Sequence, residues 1–306
     1  MRTLFCAVAL AAAAYLLGTP ARAAQLLTRA RNERPAIVLA AFGTSTRAQA
    51  TYDFLEAQVR RELPDYELRW AFTSEIIRER TNARREKEGR PERLRSLAEV
   101  LAGLEGEGYG TIVVQPLFVA PGEEYDEALA VVRRFPSLRI EVGETLLHRW
   151  SSVEEVLLAL RRDFLPPEEG CNVLVAHGSP TTGAASNTTL LGLERQLARV
   201  APNAYLGCVE GVIPAEDALE RARACAGKRV RFVPLMLVAG DHILNDVMGG
   251  KGAEGSSWRA ELVRAGKEVD VPTLQFGGET HYKGLGFIPE VNAVFIRGIR
   301  KALDRL

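Results

Sequence analysis

VLVAHGS, residues Val173–Ser179, decides the fold once it is set beside IVLAAFGTS, residues Ile37–Ser45. Each is an apolar run of strand length, closed by a glycine at which the chain can turn. At an offset of 135 positions Phe42 stands opposite His177 and Gly43 opposite Gly178, and at the same offset Glu75 of WAFTSEII falls opposite Glu210 of YLGCVEGVI. A third pair, VVQPLFVAPGEE (Val113–Glu124) and RFVPLMLVAGDH (Arg231–His242), sets Pro116 against Pro234, Gly122 against Gly240 and Glu124 against His242. Three matches in one order describe a duplicated unit whose period is too long for a solenoid.

Further strands are expected at Ala36–Ala41, Thr111–Gln115, Asn172–Ala176, Ala204–Val209 and Arg229–Val238. Helical stripes separate them. Tyr52, Leu55, Val59 and Leu63 share one face, as do Leu94, Leu97, Leu101 and Leu104, and Val291, Phe295, Ile299 and Leu303 form the last. This alternation predicts an α/β fold of two similar lobes, each a parallel sheet flanked by helices, with a cleft between them. The lobes are expected over 24–147 and 148–306.

Residues 1–23 carry Arg2, an apolar run from Leu4 to Leu17 and the small-x-small ending Ala21-Arg22-Ala23. That pattern predicts a signal peptide cut after Ala23 and a periplasmic protein with no membrane insertion after processing, since the run is too short to span a bilayer. Of 39 basic residues Arg2 and Arg22 leave with the signal, so 37 face 39 acidic ones. So even a balance gives no electrostatic case for nucleic acid. Cys171, Cys208 and Cys225 remain; they can form one pair at most, and burial as small apolar side chains is the simpler expectation. A homo-oligomer is a reasonable expectation on general grounds.

Ligands of open parallel sheets bind beyond the carboxyl ends of the strands. His177, Glu210 and His242 all fall there in the second unit, where the first has Phe42, Glu75 and Glu124. Neighbouring strands lie about 4.8 Å apart, so side chains remote in sequence can converge on one ion. Two neutral imidazoles and a carboxylate suit cobalt, iron, nickel or zinc better than calcium or magnesium. Each imidazole then needs an outer partner for its second nitrogen, and Asp241 and Asp246 are close in sequence. His148 and His281 lack such placement and read as surface or packing residues.

VAHGS around His177, CVEGVIP around Glu210 and above all PLMLVAGDHILND (Pro234–Asp246) resemble the sirohydrochlorin cobaltochelatases of the anaerobic cobalamin pathway, class II chelatases. AAFGTS (Ala40–Ser45) and AFTSEIIR (Ala71–Arg78) resemble that family's first half, so the likeness runs from about Ile37 to the end. It implies insertion of cobalt(II) into sirohydrochlorin with release of two protons, His177, Glu210 and His242 holding the metal and His177 accepting a proton. Iron or nickel insertion, or a periplasmic carrier of tetrapyrrole or metal without turnover, are the alternatives. No organic cofactor is predicted, and the mature chain up to Leu147 has no histidine for a haem. GETHYKGLGFIPEV (Gly278–Val291) is longer than the family leads one to expect.

Sirohydrochlorin carries eight carboxylates, which calls for positive charge and free backbone N–H groups in the cleft. Arg78 and Lys251 are candidate carboxylate contacts. Gly43, Thr44, Gly178 and Ser179 could let the flat ring approach and offer their amides. Between Ile76 and Arg95 the arginines alternate with glutamates, the pattern of an exposed ion-paired helix. Ser179 beside His177 lacks the G-x-S-x-G setting of a hydrolase.

Overall fold

A computed structural model describes residues 32–250 and 256–306. The expected signal peptide and Lys251 lie outside the described residues. In the first lobe β1 (Ala36–Ala41) is buried along its whole length because helices cover both faces of its sheet. The chain continues through α1 (Ala50–Glu62), β2 (Glu67–Phe72), α2 (Glu75–Lys87), α3 (Leu97–Gly106), β3 (Thr111–Pro116), α4 (Glu123–Val132) and β4 (Arg139–Val142). After α5 (Trp150–Leu160) the second lobe repeats the plan with β5 (Gly170–Ala176), α6 (Ala185–Val200), β6 (Ala204–Cys208), α7 (Ala215–Ala224), β7 (Arg229–Pro234), α8 (Trp258–Arg264) and β8 (Glu268–Asp270). A hairpin, β9 (Thr273–Phe276) and β10 (Glu279–Tyr282), precedes the last helix, α9 (Pro289–Leu303).

The sheets run β2-β1-β3-β4 and β6-β5-β7-β8, all parallel, so the order is the same in both. The duplication reaches single hydrogen bonds. Leu117 N–H donates to Ala40 O at 2.7 Å and Leu235 N–H to Val175 O at 2.8 Å, each one residue past the aligned Pro116 or Pro234. Thr46 N–H donates to Thr44 Oγ1 and Thr181 N–H to Ser179 Oγ, again at equivalent places.

Alternation along the central strands divides the core. Ile37, Leu39, Ala41, Leu174 and Ala176 face a cluster shared by both lobes. Val38 and Ala40 face a separate outer layer of the first lobe, Val173 and Val175 one of the second. The last helix packs on α1, α5 and β3, burying Val291, Phe295 and Ile299 as their spacing predicts, with Leu303 partly buried. Asn292 ties its start to the first lobe through Gln58 Oε1 at 3.2 Å.

Several boundaries differ from the sequence reading. The strand expected to run to Val238 ends at Pro234, which has no N–H to continue the ladder. The ion-paired helix ends at Lys87, and 88–96 follows the outer edge of β2, where Phe72 N–H donates to Arg95 O at 2.8 Å. Cys171 and Cys225, expected as separate buried thiols, form a disulfide with Cα atoms 6.4 Å apart. Cys208 stays free and buried, its thiol pushed up to about 12 by desolvation.

The crosslink joins residues 54 apart in sequence, so reducing it should cost about 2–4 kcal/mol by releasing the unfolded chain. Thermal melting with and without reductant measures this. Equal melting temperatures for the two forms would show that the bridge contributes nothing. In the same samples Cys208 should stay silent to thiol reagents until the protein unfolds.

Candidate metal centre

His177 lies directly beyond the end of β5, and its carbonyl accepts Glu210 N–H at 3.0 Å, which clamps the loop after β6 to the loop after β5. In the first lobe the corresponding bond runs from Ser74 N–H to Phe42 O at 3.1 Å. Ser74, not Glu75, is therefore the structural counterpart of Glu210. Its hydroxyl caps α2 by accepting Ile77 N–H, and that lobe presents neither imidazole nor carboxylate at the position.

His242 sits eight residues beyond β7, just before a π-helical turn over Ile243–Val247. Such turns are uncommon and often mark functional positions. The coil brings Asp246 under His242, with Oδ2 at 2.7 Å from Nδ1. A carboxylate can only accept there, so Nδ1 carries the proton and the Nε2 lone pair is free for an ion. His177 is set the same way by its neighbour's carbonyl, with Nδ1 2.9 Å from Gly178 O.

The two imidazole rings are 4.8 Å apart at 79°, edge to face. Glu210 Oε1 is 3.4 Å from His177 Nδ1. The side chains are 48% (His177), 42% (Glu210) and 38% (His242) exposed, open enough for an ion to arrive from solvent. Among the described residues no three His, Cys, Asp or Glu side chains close around one point. Completing a three-ligand set therefore requires Glu210 to swing from the Nδ1 side of His177 toward the free nitrogens. Cutting the outer contact with Asp246→Ala should weaken cobalt(II) binding about 10- to 100-fold by freeing the His242 ring. Calorimetric titration checks it, and unchanged affinity would remove Asp246 from the site.

The first lobe touches the loops that carry this centre. Thr44, buried and hydrogen bonded to Thr46 at 2.9 Å between hydroxyls, packs against Gly240, two residues before His242. Glu123, at the start of α4, accepts Ser179 Oγ–H at 3.0 Å and the Thr181 hydroxyl. These two bonds hold its carboxyl below the usual carboxylate range. No motif pointed to Glu123; its place beside Gly122 in the repeat was the available signal.

Groups considered for carboxylate recognition are largely committed within the protein. Gly43 N–H donates to the Tyr52 hydroxyl at 3.2 Å and Ser179 N–H to Asn187 Oδ1 at 3.2 Å. Arg78 Nη1 donates to Phe72 O and Thr73 O, both at 2.8 Å, bracing the end of β2. Gly178, at φ +81°, leaves room for the Glu210 carbonyl, which a Cβ would meet at 1.7 Å. His148 is exposed and His281 is buried in β10, neither of them close to the His177–His242 pair in sequence.

Comparison with known proteins identifies the family of the chain. The family model described as cobalt chelatase (CbiK) matches residues 35–304. The sirohydrochlorin cobaltochelatase CbiKC of Nitratidesulfovibrio vulgaris is 31% identical over 257 residues, covering 81% of this chain and 85% of that protein. The sirohydrochlorin cobaltochelatase of Salmonella typhimurium is 26% identical over 279 residues, covering 89% and 97%. Among solved structures, SirB from Bacillus subtilis with Fe3+ superposes with a TM-score of 0.55 at 15% identity, covering 88% of this chain and 96% of that one. The sirohydrochlorin chelatase SirB of Bacillus subtilis subspecies spizizenii, in complex with cobalt, gives 0.54 at 16% identity, covering 89% and 96%. At those identities the structural likeness is one of fold. With a family model spanning nearly all of its described length and a relative matched over most of both chains, this chain belongs to the cobalt chelatase (CbiK) family.

Proposed function

We propose that this protein inserts cobalt(II) into sirohydrochlorin, with His177, Glu210 and His242 receiving the ion. The observation that carries the reading is the pair of exposed imidazoles 4.8 Å apart beyond the second sheet, both with Nδ1 engaged and Nε2 free, beside the Glu210 carboxylate. Insertion requires the ion to shed water and the macrocycle to lose two N–H protons. Ligation by three side chains replaces part of the hydration shell and holds the ion facing the ring, a positioning gain of several orders of magnitude. As the ion passes to the ring nitrogens, His177 Nε2 is released and takes one proton, and the Glu210 carboxylate takes the other; solvent then removes both. Gly43 and Gly178 let the two strand-end loops turn tightly against Ile77 and the Glu210 carbonyl, while Thr44, Ser179 and Arg78 brace them.

The proposed setting is the periplasm after cleavage behind Ala23, and the proposed assembly a homo-oligomer. Iron(II) and nickel(II) fit the same ligands, and competition between ions measures the preference. Mature protein mixed with sirohydrochlorin and cobalt(II) should produce the metallated absorption spectrum faster than the protein-free mixture. Binding of the ring without faster metallation would identify a carrier and end the enzymatic reading.

A further inference from the structure

The hairpin β9–β10, whose second strand opens the segment that exceeds the family pattern, faces the first lobe across a cavity of about 390 Å³. Arg47, Thr273, Glu279, Thr280, His281 and Tyr282 line it. His281 is only 5% exposed, and its Nδ1 meets no hydrogen-bond partner. Buried polar nitrogens without partners are rare; this one is shielded from the cavity as well, so His281 meets a guest through the rest of its ring. Arg47, exposed at the start of the turn Arg47–Gln49, has no ion pair or side-chain hydrogen bond among the described residues. Two nitrogen-bearing side chains, one a permanent cation, thus line one small cavity with no protein acceptor engaged.

Both walls of that cavity are fastened to the loop that carries His242. On one side Arg47 follows Thr46, whose hydroxyl lies with that of Thr44 against Gly240. On the other, the chain leaving β10 donates from Leu285 N–H to Met236 O and from Gly286 N–H to Leu237 O, both at 2.9 Å. The cavity is therefore held in a set relation to the metal centre. The peripheral carboxylates of a tetrapyrrole stand on flexible arms at the rim of the ring, a side chain's length outside its four nitrogens.

We propose that this cavity binds a peripheral carboxylate of the macrocycle, Arg47 supplying the charge and His281 and Thr280 flanking it, so that the ring is oriented over His177 and His242. The assignment rests on the chelatase reading given above and adds to it a substrate-orienting subsite outside the metal ligands. Glu279 at the same cavity is exposed; its charge opposes the incoming carboxylate and keeps binding reversible.

The test is a fluorescence titration of the mature protein with metal-free sirohydrochlorin, alongside cobalt(II) titration without the ring. Arg47→Glu, at an exposed position that leaves the core intact, should bind the ring roughly tenfold more weakly, the scale of one charge-assisted contact. Its cobalt affinity should stay at the wild-type value. Glu279→Gln should bind the ring about twofold more tightly, a sign reversal that a purely structural role does not produce. With the methyl-esterified ring, wild type and Arg47→Glu should bind alike. Equal binding of free sirohydrochlorin by wild type and Arg47→Glu overturns the subsite while leaving cobalt insertion intact, and so does a tenfold difference that persists with the ester. A wild-type protein that neither binds nor metallates sirohydrochlorin overturns the chelatase reading, and the subsite with it.

Discussion

His177→Ala and His242→Ala each lower the initial rate of cobalt insertion by about 10²–10⁴-fold, the range lost when a positioned ligand or proton acceptor is removed. The two rings stand 4.8 Å apart and share one candidate ion, so deleting either leaves at most one imidazole and Glu210 to strip water from the metal. Because the two act as a unit, the double variant should be little worse than the poorer single one. Both side chains are more than a third exposed, so melting temperature should scarcely move, which separates lost chemistry from lost fold. Spectrophotometric assay over a cobalt series is the measurement. Variants inserting cobalt within threefold of wild type would sink the metal-site assignment.

Gly178→Ala destabilises the protein by about 2–5 kcal/mol and displaces Glu210. Two costs combine: an alanine held at positive φ is strained by about 1–2 kcal/mol, and the backbone must part to admit the methyl. The new carbon would sit 1.7 Å from the Glu210 carbonyl oxygen, a backbone atom that no rotamer change can move. The hydrogen bond from Glu210 N–H to His177 O holds those same two loops together, so relief of the overlap opens the metal centre. Denaturant unfolding gives the stability change, and cobalt titration of the folded fraction gives the effect on the site. Gly43→Ala is the internal comparison, because there the Cβ meets the Ile77 side chain at 3.0 Å, which can yield. If Gly178→Ala were as mild as Gly43→Ala, the clamp between the loops would not be the reason for glycine at 178.

Much of the fold is legible because the central strands are buried on both faces and so read as unbroken apolar runs: Ala36–Ala41 matches its predicted bounds, and Gly170–Ala176 extends the prediction by two residues. Strands β2, β4 and β8 carry no such run. β4 and β8 are short, half-solvated edges, and β2 mixes Glu67 and Arg69 with its apolar residues, so their composition resembles that of loops. The repeat located His177 and Glu210 in the chain, yet its constant offset misaligned Glu75 by one residue. Only the backbone bonds show that Ser74 is the counterpart.

The amino-acid order alone determined that there are two parallel α/β units, that one has imidazoles where the other has Phe42 and Glu124, and in which loops they lie. Tertiary structure decided the rest: which nitrogen of each histidine is free, that Asp246 holds His242, that Arg78 and the Ser179 amide are already engaged, and that Cys171 meets Cys225. The physical reason is that burial and periodicity are properties of a segment and its immediate solvent. Hydrogen-bond partnership, by contrast, depends on directions and distances between segments, which exist only once the helices have packed and brought the strand ends together.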